Sequence, residues 1–291
     1  MRVIETAAEM RATRRELASP VGFVPTMGYL HAGHLSLARA ARAECATVVA
    51  SIFVNPTQFG PNEDLSRYPR DLPRDLNLLA TAGVDLVFTP SAAEMYPDGF
   101  ATYVEPGGML TERLEAAARP GHFRGVATVV TKLFNIVAPD VTYFGQKDAQ
   151  QVAVIRRLIA DLNLPVELRL LPTVRERDGL AMSSRNAYLN VEDRAAATVL
   201  YRALLAGKAL IEADPSVNAP RVIEEMLTVI ATEPRAQQEY ADVCDPDTFA
   251  TLENMRAPAL LAISARVGPA RLIDNFLLRE DGMWNTGTIA E

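Results

Sequence analysis

Short apolar segments alternate with amphipathic segments from about residue 21 to residue 172, and this alternation limits the possible folds more than any other feature of the chain. The apolar segments are residues 21–25, 47–54, 84–88, 141–144 and, more weakly, 166–171. Their β-branched, continuously apolar character is typical of strands that are buried on both faces of a parallel sheet. The pattern predicts an α/β fold with a Rossmann-like, doubly wound parallel sheet, whose ligands gather at the carboxyl ends of the strands.

Helical periodicity separates these segments and then dominates the last third of the chain. The predicted helices of the first part are residues 35–45, 71–82, 126–137 and 149–162. Beyond about residue 173 we expect helices over residues 191–213 and 219–232, short strands at residues 240–243 and 259–267, and a loose tail at residues 284–291. The sequence therefore predicts two domains, a nucleotide-binding domain of residues 1–173 and a smaller α+β domain of residues 174–291.

Composition excludes several classes of protein. Hydrophobic residues make up 49% of the 291 residues and charged residues 22%, as in ordinary folded proteins. With a net charge of -7, the chain does not offer the basic surface that nucleic-acid binding usually requires, so we expect no nucleic-acid partner. Cys45 and Cys244 form no C-x-x-C pair, which favours reduced thiols. Charged residues interrupt the first 17 positions, and no apolar run reaches the roughly 18 residues of a membrane span, so we expect a soluble, cytoplasmic protein.

All three histidines lie in two glycine-containing segments, PTMGYLHAGH and RPGHFRG. His31 and His34 follow the first predicted strand and open the first predicted helix, where Gly28 and Gly33 let the backbone approach a ligand closely. Two imidazoles on one helical face, beside free backbone N–H groups, fit a phosphate in transfer. The alternatives are a metal-binding pair, which offers too few ligands for zinc, and packing or capping histidines. Neither alternative explains the glycines.

The segment FGQKDAQQ turns from a strand into a helix through Gly145, Gln146, Lys147 and Asp148. Only three of the 29 basic residues are lysines, so a lysine in this turn indicates the compact charge used on nucleotide phosphates. A solvated lysine is the alternative. Asp148 could either cap the helix or accept a hydrogen bond from a ribose hydroxyl.

Two further segments carry polar side chains suited to ligands. In LAMSSRN, Ser183, Ser184 and Arg185 offer three donors to a polyphosphate and could form a lid, although a serine-rich hinge is the alternative. In FVNPTQF, Asn55 and Gln58 could orient hydroxyls or a carboxylate, and a plain turn around Pro56 is the alternative.

These motifs occur in the order and spacing of one family: the chain resembles the pantothenate synthetases, or pantoate-β-alanine ligases, of the HxGH nucleotidyltransferase superfamily. The resemblance runs from about residue 21 to residue 190, and ISARVGPARLIDN near the end is also similar. HxGH by itself is far less specific, because many nucleotidyltransferases and class I aminoacyl-tRNA synthetases share it. Tyr29 and Ala32 depart from the usual pattern at positions that carry no ligand contact in the family.

The resemblance implies an AMP-forming ligase that works in two steps. The pantoate carboxylate attacks the α-phosphorus of ATP and releases pyrophosphate, and the β-alanine amine then attacks the carbonyl of pantoyl adenylate and releases AMP. It also implies Mg²⁺ with the ATP phosphates, a homodimer, no membrane, and a C-terminal domain that closes over the ATP site. No carboxylate cluster in the sequence identifies a metal held by the protein itself.

The family's site residues map onto the matching positions. His34 is implied as proton donor and His31 as its neighbour at the phosphates, with Lys147 and Arg185 completing the catalytic group. The implied ATP-binding residues are Met27, Gly28, His31, His34, Gly145, Gln146, Lys147, Asp148, Val174, Met182, Ser183, Ser184 and Arg185. The implied substrate residues are Gln58 and Gln151, with Gln58 also near β-alanine, Asn55, and an apolar wall for pantoate from Pro25, Met27, Val129 and Val130. Tyr68, Arg119 and His122 receive no definite role.

Other functions remain as alternatives. An HxGH nucleotidyltransferase that only transfers a nucleotidyl group, such as a pantetheine-phosphate adenylyltransferase, would lack MSSRN and the paired Gln58 and Gln151. An aminoacyl-tRNA synthetase would need a basic tRNA-binding surface. A nucleotide sensor without catalysis would have no use for His34.

Overall fold

A computed structural model describes residues 1–290. The chain forms two compact units, one of Met1–Gly145 with Gln151–Leu171, and one of Gln146–Gln150 with the chain from Pro172 onward. Residues 146–150, predicted to belong to the first domain, group with the second unit by their contacts. Cys45 and Cys244 are both buried, and neither forms a disulfide. In residues 1–290, no helix is both long enough and apolar enough to cross a membrane.

The first unit is built on a six-stranded parallel sheet, which confirms the predicted fold class. Its strands are β1 (Arg2–Ile4), β2 (Val21–Thr26), β3 (Thr47–Ile52), β4 (Leu86–Phe88), β5 (Val141–Gly145) and β6 (Glu167–Leu171), in the order β1-β4-β3-β2-β5-β6. The five predicted strands all form. The edge strand β1 was not predicted, because its three residues RVI are too short for a recognisable pattern.

The helices of this unit are α1 (Ala7–Arg14), α2 (Ala32–Glu44), α3 (Leu72–Thr81), α4 (Ala92–Met95), α5 (Glu115–Ala118), α6 (His122–Val137) and α7 (Ala149–Asp161). Helices lie on both faces of the sheet. Successive residues of a strand point to opposite faces. Accordingly Phe23 packs edge-on against Phe134 of α6, with ring centroids 6.5 Å apart, whereas Val24 joins the cluster that contains Leu35 and Ala38 of α2.

The strand order reverses between β2 and β5, which pair directly at Gly22 with Val141. In open α/β sheets, such a switch point is where loops leave in opposite directions and open a crevice for a ligand. The HxGH segment follows β2, and Gly145 ends β5. The fold therefore positions the histidine loop where the sequence analysis expected the ligand.

The second unit is an antiparallel sheet covered by helices. It contains β7 (Val174–Arg175), α8 (Val191–Ala196), α9 (Val199–Ala213), α10 (Ala219–Ala231), β8 (Ala236–Cys244), β9 (Ala259–Val267), β10 (Ala270–Leu278), β11 (Trp284–Asn285) and β12 (Thr288–Ile289). The main sheet has the order β11-β10-β9-β8, and β12 pairs with β7 in parallel. Leu204 of α9, Met226 of α10, Ile263 of β9 and Phe276 of β10 share its core.

Three predictions about this unit were wrong. The predicted helix 191–213 is two helices, broken at Ala197 and Thr198 without a glycine or proline to signal it. The strands expected to be short are nine residues each, and β10 between them and the tail was missed. The predicted loose tail is paired through residue 290, since Thr288 N–H donates to Thr173 O at 2.8 Å; Glu291 lies outside the described residues.

Candidate active site

The loop after β2 has a conformation that requires glycine. Gly28 has φ +84° and Tyr29 has φ +50°. A Cβ on Gly28 would lie 3.0 Å from both Asp75 Oδ2 and Ile52 Cγ2. The first glycine of the motif therefore serves the turn itself, because any side chain there would be strained at this φ and would crowd Asp75 and Ile52.

Asp75 of α3 holds this loop from the other side. Its Oδ2 accepts from Tyr29 N–H at 2.6 Å and its Oδ1 from Leu30 N–H at 2.8 Å. The carboxyl is 1% exposed, and burial raises its pKa, while the two backbone hydrogen bonds and nearby Arg74 act in the opposite direction. Sequence reasoning missed Asp75. The one signal is that it lies a helical turn before Leu79, on the buried side of α3.

His31 and His34 cap the start of α2 reciprocally. His31 Nδ1 accepts from Gly33 N–H at 3.2 Å, and His34 Nδ1 accepts from His31 N–H at 3.3 Å. Their ring centroids are 4.0 Å apart. The structure brings the two predicted histidines together at a helix N-terminus, as the sequence indicated.

These caps determine which ring nitrogen carries the hydrogen. A nitrogen that accepts from a backbone N–H has no proton of its own, so each neutral imidazole carries its hydrogen on Nε2. Capping and phosphate binding were separate interpretations of the sequence. They are compatible, because each cap uses only the Nδ1 atom of its ring.

The 3₁₀ turn Pro56–Gln58 after β3 brings Asn55, Gln58 and Met27 together. Asn55 Nδ2 donates to Gln58 Oε1 at 3.0 Å and to Gly125 O at 3.2 Å. Gln58 Nε2 lies 3.4 Å from Met27 Sδ. Asn55 therefore orients the Gln58 amide. Tyr96, which sequence reasoning missed, donates from its hydroxyl to Asn55 Oδ1 at 2.7 Å, and burial raises its pKa.

Arg119 and His122 hold the backbone of that same turn. His122 Nδ1 lies 2.9 Å from the carbonyl oxygen of Gln58, and its Nε2 lies 3.0 Å from Arg119 Nη1. A carbonyl only accepts and a guanidinium only donates, so the hydrogen must be on Nδ1. Arg119 also binds both carboxylate oxygens of Glu63, at 2.9 and 2.6 Å, and donates to Gln58 O at 3.3 Å.

His122 is held neutral by its surroundings. Burial and the Arg119 charge lower its pKa from 6.5 to about 4, against the opposite effects of the Gln58 carbonyl, Glu115 and Glu63. Of the three residues that the sequence left without a role, Arg119 and His122 thus anchor Gln58. Tyr68 is buried with its ring 5.9 Å from the Phe59 ring, centroid to centroid.

The backbone of helix α6 lies directly against the backbone of the Gln58 turn. A Cβ on Gly125 would lie 2.4 Å from Thr57 O and 2.6 Å from Gln58 N. The predicted wall residues Val129 and Val130 are buried on this helix, which also contacts β2, the strand of half-buried Pro25. Gln151 is half-buried in the first turn of α7. A cavity of about 200 Å³ lies beside Gln58 and the start of α6.

In the second unit, the turn Gln146–Asp148 presents Lys147 beside Asp148, with Nζ 3.6 Å from Oδ1. Gln146 is buried, and its side-chain amide bonds to Asn275 Oδ1 and Asn285 O, at 3.1 and 3.3 Å. Its amide is therefore used within the protein. Sequence reasoning missed Asn275 and Asn285, although Asn275 lies in the LIDN end of a noticed segment.

The segment Met182–Arg185 lies against Val174, since Met182 N–H donates to Val174 O at 2.9 Å. Ser183 Oγ accepts from Arg185 N–H at 3.2 Å and so caps the short 3₁₀ helix Ser184–Tyr188. Ser184 is buried. The structure thus groups Val174, Met182 and the two serines, for which the family resemblance implies ATP binding. Within residues 1–290, no group of three or more His, Cys, Asp or Glu side chains is arranged to hold a metal ion.

Comparison with known proteins decides the family. The family model described as Pantoate-beta-alanine ligase matches residues 2–277. The chain belongs to the pantoate-β-alanine ligase family. It is an ATP-dependent ligase, and this membership favours the ligase interpretation over the nucleotidyltransferase alternative.

Relatives of the ligase match over their whole length. The chain is 56% identical over 279 residues to the pantothenate synthetase of Herpetosiphon aurantiacus, covering 96% of this chain and 100% of that protein. It is 58% identical over 285 residues to that of Chloroflexus aurantiacus, with 97% and 100% covered.

Solved structures of the family have the same fold. The pantothenate synthetase of Thermus thermophilus superposes with a TM-score of 0.90 at 51% identity, covering 94% of this chain and 98% of that one. The pantoate-beta-alanine ligase of Francisella tularensis, complexed with beta-gamma ATP and beta-alanine, has a TM-score of 0.78 at 35% identity, with 95% and 97% covered.

Proposed function

We propose that this ligase joins pantoate and β-alanine into pantothenate through an enzyme-bound pantoyl adenylate. A pantoate carboxylate oxygen bonds to the α-phosphorus of ATP as pyrophosphate leaves. The β-alanine amine then bonds to the activated carbonyl carbon, loses a proton, and AMP leaves. The single observation that best supports this is the paired histidine cap at the switch point of a chain whose family match spans residues 2–277.

We propose that ATP binds to the α2 N-terminus and to the loops of the second unit. His31 and His34 would donate from Nε2 to phosphate oxygens, where such donors act most strongly on charge that develops in the transition state. Lys147 and Arg185 would add positive charge. Proton donation by His34, and the ATP contacts of Met27, Gly28, Gly145, Gln146, Asp148, Val174, Met182, Ser183 and Ser184, complete the proposed set.

We propose that pantoate lies beside Gln58. Because Asn55 holds Gln58 Oε1, the amide presents its NH₂ group, which suits an oxygen of pantoate. Gln151 is the proposed second amide, and Pro25, Met27, Val129 and Val130 would form the wall for the gem-dimethyl group. The cavity beside Gln58 has room for a small amino acid, and we assign it to β-alanine.

Mg²⁺ would accompany ATP through phosphate oxygens and water, because the described residues offer no ligand cluster of their own. We derive no step through the ion. A homodimer and a cytoplasmic location also stay proposals; gel filtration coupled to light scattering tests the first.

Pyrophosphate–ATP exchange tests the adenylate mechanism directly. With pantoate present and β-alanine absent, labelled pyrophosphate should enter ATP, since the first step is complete and reversible without the amine. Exchange that depends strictly on β-alanine would overturn the two-step mechanism. Transfer of AMP to a phosphate ester would instead support the nucleotidyltransferase alternative.

A further inference from the structure

Two consecutive polar residues near the middle of β10, Asp274 and Asn275, are each 3% exposed. Adjacent side chains of a strand point to opposite faces, so both faces of β10 are covered at this point. On the Asn275 face, the neighbours Ile273 and Leu277 are only half-buried. A particular neighbouring segment must therefore cover Asn275. A buried side-chain amide is stable only when its N–H and C=O groups have hydrogen-bond partners.

Asn275 is buried by the turn that carries Lys147. Its Nδ2 donates to two successive backbone carbonyls, Gln146 O at 3.0 Å and Lys147 O at 2.9 Å, while its Oδ1 accepts from Gln146 Nε2 at 3.1 Å. Asn285 of β11 donates to Oε1, the side-chain oxygen of Gln146. One asparagine thus holds the two peptide groups on either side of the Lys147 Cα.

Asp274 holds a second loop from the opposite face. Its carboxylate oxygens accept hydrogen bonds from both terminal nitrogens of Arg175, at 2.6 and 2.9 Å. In this ion pair, the Arg175 side chain is 1% exposed and the Asp274 side chain 2%. Arg175 also donates to Gly179 O at 3.0 Å. Arg175 is the neighbour of Val174 in β7, and the Val174 carbonyl accepts a hydrogen bond from Met182 N–H. The ion pair therefore fixes the position of the strand that contacts the Met182–Arg185 segment.

We propose that Asn275 is a positioning residue of the ligase, which holds the Lys147 turn in the geometry needed for ATP. Asn275 acts through this turn and does not itself touch the nucleotide. This inference rests on the proposed function, because it assumes that Lys147 contacts the phosphates.

A double-mutant cycle between Asn275 and Lys147 tests the proposal. Asn275→Asp keeps the shape of the side chain and its acceptor, but removes the donors to both carbonyls and faces them with an oxygen. We expect kcat/KM for ATP in pyrophosphate exchange to fall about tenfold, the scale of one or two lost hydrogen bonds to buried groups. In a Lys147→Ala background the same change should cost less than about twofold, because its effect passes through the lysine.

The controls separate positioning from simple loss of structure. Asn254→Asp, at an exposed asparagine of the same unit, should leave kcat/KM for ATP unchanged. Asn285→Ala removes a more peripheral bond to Gln146, should lower kcat/KM for ATP about threefold, and serves in the cycle if Asn275→Asp does not fold. KM for pantoate should stay within about twofold of wild type in both variants.

Two outcomes overturn the proposal, and they differ. If Lys147→Ala is severely impaired and Asn275→Asp costs the same factor in both backgrounds, Asn275 does not act through Lys147, while the proposed function stands. If Lys147→Ala alone has normal kinetics, the assumed phosphate contact fails, and the positioning proposal fails with it.

Discussion

At the scale of single residues, each histidine of this ligase has its tautomer set by its neighbours. His31 and His34 accept through Nδ1 and so keep hydrogen on Nε2, whereas His122 donates from Nδ1 and accepts through Nε2. The same side chain thus serves two purposes. His31 and His34 present donors at a helix start, whereas both ring nitrogens of His122 are used in contacts within the protein.

Substitutions of His34 separate its capping contact from its chemistry. His34→Ala should lower turnover by a factor on the order of 10² to 10³, the loss of one preorganised donor, and cost up to about 1 kcal/mol in unfolding free energy. His34→Glu restores a reciprocal cap at the third helical position and should keep the stability, but not the turnover. Urea unfolding measures the unfolding free energy, and steady-state kinetics measure the turnover. Normal turnover in His34→Glu would remove His34 from the phosphate site.

The pH dependence of stability reports on His122. Its pKa is about 4 in the folded protein against 6.5 for an unperturbed histidine, so the unfolded chain takes up a proton first as the pH falls. Between pH 7 and pH 5, this should cost the wild type about 2 kcal/mol that His122→Asn, which cannot titrate, does not lose. Urea unfolding at both pH values measures the difference. Equal losses in the two proteins would contradict the buried neutral histidine.

At the scale of elements, α6 is positioned by the absence of a side chain at Gly125. The helix was predicted to begin at residue 126, directly after the glycine-containing segment RPGHFRG, and it begins four residues earlier, at His122. Glycine is unfavourable within a helix by propensity. Here the backbone contact with Thr57 and Gln58 outweighs that preference, and only the packed structure reveals the reason.

Gly125→Ala should therefore disturb the Gln58 turn. The new Cβ would lie 2.4 Å from Thr57 O, and since the obstacle is backbone, either α6 or the turn must shift. We expect a loss of about 1 to 3 kcal/mol in unfolding free energy and a higher KM for pantoate. Gly107→Ala is the matched control, because no atom lies within 4 Å of its Cβ. Unchanged pantoate kinetics in Gly125→Ala would separate the turn from pantoate binding.

The ion pair between Arg175 and Asp274 links β7 to β10, and its removal should be costly only when one charge remains. Asp274→Ala leaves a buried guanidinium without its carboxylate, and we expect a loss of about 3 to 5 kcal/mol. The double variant Arg175→Met with Asp274→Leu should lose less than Asp274→Ala. Glu212→Ala, which breaks an exposed pair with Lys208, should change stability by about 0.5 kcal/mol or less. Equal losses in the single and double variants would rule out the buried charge as the cause.

At the scale of the whole molecule, a ligand that binds only the folded chain must stabilise it. ATP at about one hundred times its Kd should add about 2.7 kcal/mol to the unfolding free energy, and less in Lys147→Ala at the same concentration. Thermal unfolding with and without ATP measures this, with Asn254→Asp as the control that behaves like wild type. No ATP-dependent rise in Tm would argue against a nucleotide site in the free enzyme.

Local pattern was sufficient for the elements of the first unit and for the segments that carry the site. Strands buried on both faces read as apolar runs, and the HxGH and SSRN segments are continuous in the sequence, so their side chains are neighbours before the chain folds. Residues such as Asp75 and Glu63 could not be found in this way. Nothing local distinguishes them from other acidic residues, and their partners lie 45 and 56 positions away in the chain.

The sequence by itself determined the parallel sheet, the helix start that carries the two histidines, and the chemical character of the site. Only the tertiary structure decided which distant groups satisfy the loops that carry the candidate residues: Asp75 for the glycine turn, His122 and Arg119 for Gln58, and Asn275 for the Lys147 turn. It also decided that the tail is paired through residue 290 and not loose. The physical reason is that a loop's buried backbone groups need partners, and a loop without regular structure takes them from whichever segment the fold brings alongside.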